Sequence, residues 1–198
     1  MIDLATKYLG IGTDKKLELF AYYNQYCYPL VPNERKYRIR SNDDWCACFT
    51  SVIAHKAGLR NFPFEVSCYY QHLWGVENEL WRTADYMPKP NDLIYFDWGK
   101  GNRFNHVGFV VSVKDGVIKT IEGNKNRTVA NRFIKIGNKS IKGFISLNYQ
   151  TTMTVKDSDL ENLVMRTLKG EFGNGDERKQ KLGDKYEQVQ KLINSRSN

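Results

Sequence analysis

Apolar positions near the start of the chain recur at steps of three and four: Leu4, Tyr8 and Leu9, then Leu17, Phe20, Ala21 and Tyr23. That spacing lines one face of a helix and predicts two helical runs. Gly10 and the Gly12-Thr13-Asp14 turn separate them, and Thr13 or Asp14 suits the N-cap of the second. A polar loop follows from Pro29 to Arg40. Ser41-Asn42-Asp43-Asp44 is then a capping cluster ahead of a mostly apolar run from Trp45, which stops at Gly58. Cys46 thereby falls in the first turn of a helix.

From Asn91 the period changes from helix to strand. Leu93–Trp98, His106–Val113, Val117–Asn124, Val129–Ile136 and Gly143–Tyr149 are short runs rich in Val, Ile, Phe and Tyr. Lys114-Asp115-Gly116 reads as the hairpin turn between the second and third. Helices first and antiparallel strands afterwards predict an α+β domain. The helical period returns at Leu160, Leu163, Val164 and Leu168, and again at Tyr186, Val189, Leu192 and Ile193, with a Gly-Asn-Gly-Asp turn at 173–176. The expected organisation is a domain over 1–150, a linker over 151–156 and a small three-helix unit over 157–198.

Composition narrows the classes. With 198 residues, 41% hydrophobic and 26% charged, the chain suits one ordinary domain plus an appendage. No stretch nears the roughly 18–20 apolar residues that a membrane span requires, so no membrane insertion is expected. Met-Ile-Asp-Leu-Ala-Thr-Lys lacks the basic-then-apolar layout of a secretory signal, so synthesis in a cytoplasm is expected. Residues 1–150 hold 21 Lys and Arg against 14 Asp and Glu, a net +7, while 151–198 hold 9 against 8. The basic surface belongs to the larger part. It suits nucleic acid or an anionic cell wall, and charge alone does not choose.

The four cysteines, Cys27, Cys46, Cys48 and Cys68, lack the spacing of a zinc site. No metal and no cofactor are expected. Cys46 has different prospects, because a helix N-terminus stabilises a thiolate. Asp43 and Asp44 oppose that effect, which calls for a cationic imidazole nearby. Of the three histidines, His55 is nine residues along the same helix and His72 lies in an aromatic stretch. His106 begins a strand. If Lys114-Asp115-Gly116 is a three-residue loop, Val113 pairs with Val117, His106 faces Asn124, and Glu122 is its diagonal neighbour on the same sheet face. A bulge at the turn would shift that register by one. Two readings stay open from these residues alone: Cys46, His106 and Glu122 as nucleophile, base and orienter, or, as is commoner for a lone Cys and a lone His, a buried core thiol and a satisfied strand histidine.

Four short motifs, Asp44-Trp45-Cys46-Ala47, Pro90-Asn91-Asp92-Leu93-Ile94-Tyr95-Phe96, Asn105-His106-Val107-Gly108 and Ile121-Glu122-Gly123-Asn124, follow one another in that order. Together they resemble the CHAP family, the cysteine/histidine-dependent amidohydrolase/peptidase domains of phage endolysins and bacterial autolysins. The resemblance implies a papain-like fold and hydrolysis of a peptidoglycan amide, with Cys46 as nucleophile, His106 as base, Glu122 as its orienter and Asn124 as a polar helper. Trp45 would line the substrate cleft, with Tyr69, Tyr70, Trp74 and Trp98 as further candidates. Some relatives bind calcium in the loop before the cysteine, but here Arg35-Lys36-Tyr37-Arg38-Ile39-Arg40 is too basic for it.

Leu168-Lys169-Gly170-Glu171-Phe172-Gly173-Asn174-Gly175-Asp176-Glu177-Arg178 and the following Tyr186-Glu187-Gln188-Val189-Gln190 resemble the Cpl-seven cell-wall-binding repeat. That implies bacterial peptidoglycan as partner rather than nucleic acid, with Asp176 and Arg178 as wall contacts. In the plainer reading Asp176 caps a helix. A single repeat binds weakly, so a homo-oligomer is a possible source of avidity. The implied role is a phage endolysin, made in the host bacterium's cytoplasm and acting at the wall after release. A wall-remodelling or toxin amidase and a non-catalytic wall-binding protein are the rival readings.

Overall fold

The structure, a computed structural model, describes residues 1–12, 15–99, 104–147 and 155–196. Contacts divide the chain into two compact units, Met1–Asn148 and Tyr149–Asn198. The expected caps Thr13 and Asp14 and residues 151–154 of the expected linker lie outside the described residues.

The first unit contains α1 (Ile2–Thr6), α2 (Lys16–Tyr22), α3 (Cys46–Lys56) and α4 (Cys68–Glu77), followed by six strands. These are β1 (Trp81–Thr83), β2 (Leu93–Phe96), β3 (His106–Lys114), β4 (Val117–Lys125), β5 (Thr128–Lys135) and β6 (Ile141–Ile145). They form one sheet in the order β1-β6-β2-β3-β4-β5, with every pairing antiparallel. This is the α+β architecture that the change of period predicted. β1 was not expected, because three residues are too few to show alternation.

The β3–β4 hairpin differs from expectation at its turn. Asp115 and Gly116 have φ of 50° and 72° and make a two-residue loop, so Lys114 pairs with Val117 and Val113 with Ile118. Two left-handed residues suit the twist of the flanking strands. A register shift between Val110 and Ser112 then restores the pairs Val110–Thr120 and Phe109–Ile121. The bulge cancels the shorter loop, and the far end of the hairpin keeps the pairing of a three-residue loop.

α3 is buried along its whole length from Cys46 to Ala54 and packs against β3 and β4. An apolar surface all round marks a core helix. Its inward polar groups are satisfied: Thr50 Oγ1 donates to the Ala47 carbonyl and Ser51 Oγ to the Glu65 carbonyl. Gly123 sets the distance of approach, since a Cβ there would lie 2.4 Å from Phe49 Cβ and 3.1 Å from Trp45 Cζ3. Gly123→Ala is therefore expected to force α3 from β4 and to lower stability by about 1–3 kcal/mol. The thermal unfolding midpoint measures this, and an unmoved midpoint would show that the seam has slack. A second apolar layer, Ile94, Phe96, Val110, Ile118, Ile134, Ile141 and Phe144, completes the core.

The second unit is three helices, α5 (Val155–Leu168), α6 (Gly175–Leu182) and α7 (Tyr186–Arg196). Val164, Phe172, Leu182 and Val189 form its buried centre, with Leu160, Leu163, Tyr186, Leu192 and Ile193 packed around them. α5 starts two residues inside the expected linker. No helix among the described residues is long and apolar enough to cross a membrane.

Candidate active site

Cys46 is the first residue of α3, and Trp45 is the N-cap, with no side-chain capping bond. The expected capping cluster does other work. Asp43 Oδ2 accepts the Arg40 N–H at 2.7 Å and the Tyr37 hydroxyl at 3.0 Å, while Asp44 Oδ1 accepts from Asn124 Nδ2 at 2.7 Å. The first-turn N–H groups of α3 therefore keep their partial positive charge for the Cys46 sulfur.

That sulfur is the centre of a buried cluster and is only 4% exposed. Cys68 Sγ lies 3.6 Å away, and the His106 imidazole and the Val107 backbone N–H act on the same sulfur in favour of its charged form. The Cys68 hydrogen bond, with those of His106 and Val107, outweighs burial and holds the Cys46 thiol well below the usual thiol range. The same bond, with burial, drives Cys68 well above that range. The pair therefore favours the thiolate at Cys46 and the S–H at Cys68.

His106 opens β3 and is buried against Phe96, its ring centroid 5.9 Å from that ring. Its Nε2 lies 2.8 Å from Glu122 Oε2. With Nε2 given to Glu122, Nδ1 is the ring nitrogen left to serve Cys46. Burial opposes the imidazolium, but the bonds to Cys46 and Glu122 and their charges outweigh it and lift His106 to about 9.

Glu122 is fully buried and saturated with donors. Besides His106 it accepts from Thr120 Oγ1 at 2.5 Å, and from Arg132 through Nε at 2.8 and 3.1 Å and Nη2 at 2.9 Å. Burial pushes its carboxyl upward, and the His106 and Arg132 bonds overcome this to bring it to about 2. Gly108 makes the reach possible: a Cβ there would sit 2.5 Å from Glu122 Cγ. Arg132 is held in turn over the Trp98 ring, 4.5 Å from its centroid.

The structure thus brings Cys46, His106 and Glu122 together. Asn124 is not on the imidazole: its backbone is left-handed, at φ 59°, and its amide is engaged by Asp44. Trp45, expected in the substrate cleft, is 1% exposed and packs toward Gly123. Tyr69, Tyr70 and Trp98 are exposed. Beside Asp44 and Trp45 opens a cleft of about 520 Å³, also lined by Lys16, Ser41, Asn42, Asp43, Asn124, Asn126 and Arg127. His55 packs with Tyr22, which hydrogen-bonds its Nδ1, and His72 sits between Trp81 and Phe104.

Thr120, Arg132 and Cys68 were not foreseen. The first two had a signal, since Thr120 pairs with Arg132 across β4 and β5, on the face of Glu122. Cys68 had none, because nothing local in Ser67-Cys68-Tyr69 indicates that α4 begins beside α3.

In the second unit Asp176 is exposed in the first turn of α6. Arg178 is engaged internally: Nε donates to the Gly173 carbonyl at 3.0 Å, Nη2 to Asn174 Oδ1 at 2.7 Å and Nη1 to Gln190 Oε1 at 3.4 Å. It ties the turn before α6 to α7. Among the described residues no three His, Cys, Asp or Glu side chains gather as a metal site.

The model of the CHAP domain matches residues 22–124, and that of the CW_7 repeat matches residues 161–196. No curated protein matches the chain. Among solved structures it is similar to Ly7917 with the hydrolyzing product of MDP, at 12% identity and a TM-score of 0.39, over 52% of this chain and 53% of that one. It is also similar to an N-acetylmuramoyl-L-alanine amidase from Staphylococcus aureus, at 17% identity and a TM-score of 0.38, over 54% of this chain and 34% of that one. A third is an NlpC/P60 family protein from Bacillus cereus, at 19% identity and a TM-score of 0.35, over 52% and 32%. The aligned part is about half of Ly7917 and a third of the other two.

Proposed function

The chain belongs to the CHAP domain family, and from that premise we propose that it hydrolyses an amide bond of bacterial peptidoglycan, with Cys46 as nucleophile and His106 as its acid–base partner. One observation carries the reading: a histidine clamped through Nε2, at 2.8 Å, by a buried glutamate is electrostatically coupled to a cysteine at an uncapped helix start.

In this mechanism the Cys46 thiolate attacks the carbonyl carbon of the amide. Negative charge develops on the carbonyl oxygen beside the first-turn N–H groups of α3, where a backbone donor such as that of Cys46 stabilises it. His106 delivers the Nδ1 proton to the leaving nitrogen, the C–N bond breaks, and a thioester remains on Cys46. Water then attacks the thioester, His106 takes its proton, and the thiolate is released. Glu122 stays ionised throughout, stabilises the imidazolium and fixes its orientation.

The CW_7 repeat over 161–196 supports a wall-anchoring role for the second unit, in which exposed Asp176 is free to touch the wall and Arg178 shapes the turn that presents it. A catalytic domain joined to such a repeat favours a lysin of the phage endolysin kind over a remodelling or toxin amidase. The full chain is expected to lower the turbidity of purified cell walls and to create new amino termini. Mass spectrometry of the digest names the bond: a free terminus on L-alanine means amidase, and one within the stem or cross-bridge means endopeptidase. Walls left intact by folded protein, with no new amino termini, would overturn the proposal.

A further inference from the structure

Wall hydrolysis as described needs the sulfur of Cys46 and makes no covalent use of Cys68. Yet the two sulfurs stand only 3.6 Å apart. Cys46 begins α3 and Cys68 begins α4, an eleven-residue and a ten-residue helix whose starts face each other through their sulfurs. A disulfide requires the sulfurs to close to about 2.05 Å. From van der Waals contact, that is a displacement of one to two ångströms, within the reach of side-chain rotation and small backbone adjustment. Such a pair differs from a buried structural thiol: one member is the reactive thiolate, and the other stands within reach of whatever forms on it.

We propose that Cys68 is a resolving cysteine: a hydroperoxide oxidises Cys46, and Cys68 then closes a disulfide with it, storing the nucleophile in a form that a dithiol restores. In the first step the Cys46 sulfur attacks an oxygen of the hydroperoxide. An S–O bond forms, the O–O bond breaks, and the departing oxygen takes up a proton, leaving a sulfenic acid at Cys46. In the second step the Cys68 sulfur gives up its proton and attacks the Cys46 sulfur. An S–S bond forms, the S–O bond breaks, and water departs. The pair loses two electrons and the hydroperoxide gains them. Low-pKa cysteines beside a resolving partner follow this route, whereas isolated ones proceed to sulfinic and sulfonic acids that no dithiol reverses.

The remaining thiols do not compete. Cys27 Sγ is directed to the Ser51 carbonyl at 3.8 Å, and burial pushes it up to about 12. Cys48 is fully buried, with its thiol raised well above the ordinary range by that burial. All four cysteines are reduced in this structure, so the disulfide is a second state of the same site.

The test treats the folded full chain with a small excess of hydrogen peroxide, alkylates the surviving thiols and maps the peptides by mass spectrometry. The expected product has lost two hydrogens, leaves two of its four thiols unlabelled, and yields one cross-linked peptide pair containing Cys46 and Cys68. A dithiol returns the full thiol count. In Cys68→Ser, Cys46 is expected to gain two or three oxygens, which the dithiol does not remove. Wild-type protein that acquires those oxygens without the cross-link would overturn the proposal, and Cys68 would then be only an S–H donor to the thiolate. A cross-link joining Cys27 to Cys48 would overturn it too. If Cys68→Ser does not fold, the wild-type peptide map decides alone. The readout is thiol chemistry, so the outcome is independent of whether the chain clears walls.

Discussion

Cys46→Ala is expected to lower peptidoglycan turnover by at least about 10⁴-fold, the loss typical when a covalent nucleophile is removed, while leaving the chain folded and able to sediment with walls. Alanine keeps the Cβ and suits the first turn of α3, so the helix and its seam with β4 persist. The deletion removes the sulfur on which Cys68, His106 and the Val107 N–H act, and with it the nucleophile assigned to the acyl-enzyme. The His106–Glu122 bond does not depend on that sulfur and survives. Cys46→Ser is expected to fail nearly as completely, since a serine hydroxyl titrates far above a thiol and this cluster stabilises a thiolate. Turbidity loss gives the rate, and co-sedimentation with walls reports the second unit separately. If Cys46→Ala clears walls within tenfold of wild type, the nucleophile lies elsewhere and the role given to His106 falls with it.

Much of this site was legible because its members sit where periodicity is strongest. Cys46 follows a cluster of small polar residues and opens an apolar run, which is enough to place it at a helix start. His106, Glu122 and Gly123 lie on two strands joined by a tight hairpin, so alternation alone puts His106 and Glu122 on one face. The hairpin was right at the site end for an incomplete reason: a two-residue turn and a bulge near Val111 replaced the expected three-residue loop and offset each other. Residue type and position suggest Asp43 and Asp44 as caps, whereas their donors are Arg40, Tyr37 and Asn124, the last on a distant strand. Trp45 borders the cleft as expected, but its ring is buried rather than presented there. An aromatic residue beside a nucleophile suits a cleft, but the bare backbone of Gly123 provides a pocket for it that no local pattern reveals. Cys68 lies on an element whose approach to Cys46 is set by tertiary packing, and residue spacing does not encode that.

Glu122→Gln is expected to reduce kcat/KM by about 10²–10⁴-fold and to narrow the pH range of activity from both sides. In the wild type the active ion pair persists until His106 loses its proton at about 9, so activity is expected to decline above that pH as the proton needed by the leaving amine disappears. Lifting an imidazole from its ordinary 6.5 to that value corresponds to about 3 kcal/mol in favour of the charged form. Glutamine keeps an acceptor for Nε2–H but removes the negative charge, and it leaves the Arg132 guanidinium beside the ring without its partner. Both changes lower the His106 pKa, so the alkaline limb moves toward neutrality. A weaker imidazolium also stabilises the Cys46 thiolate less, so the acid limb moves upward. Stability carries an independent signature of the same group. The folded-state pKa of Glu122 is depressed from 4.5 to about 2, so its contribution is fully present above 4.5 and is lost as pH falls toward 2. Wild-type unfolding free energy should therefore drop across that interval, and the variant should be less stable at neutral pH and flatter below 4.5. A residue that merely fills space would alter the neutral-pH stability but neither pH profile. Unmoved limbs in the glutamine variant would separate Glu122 from the protonation of His106.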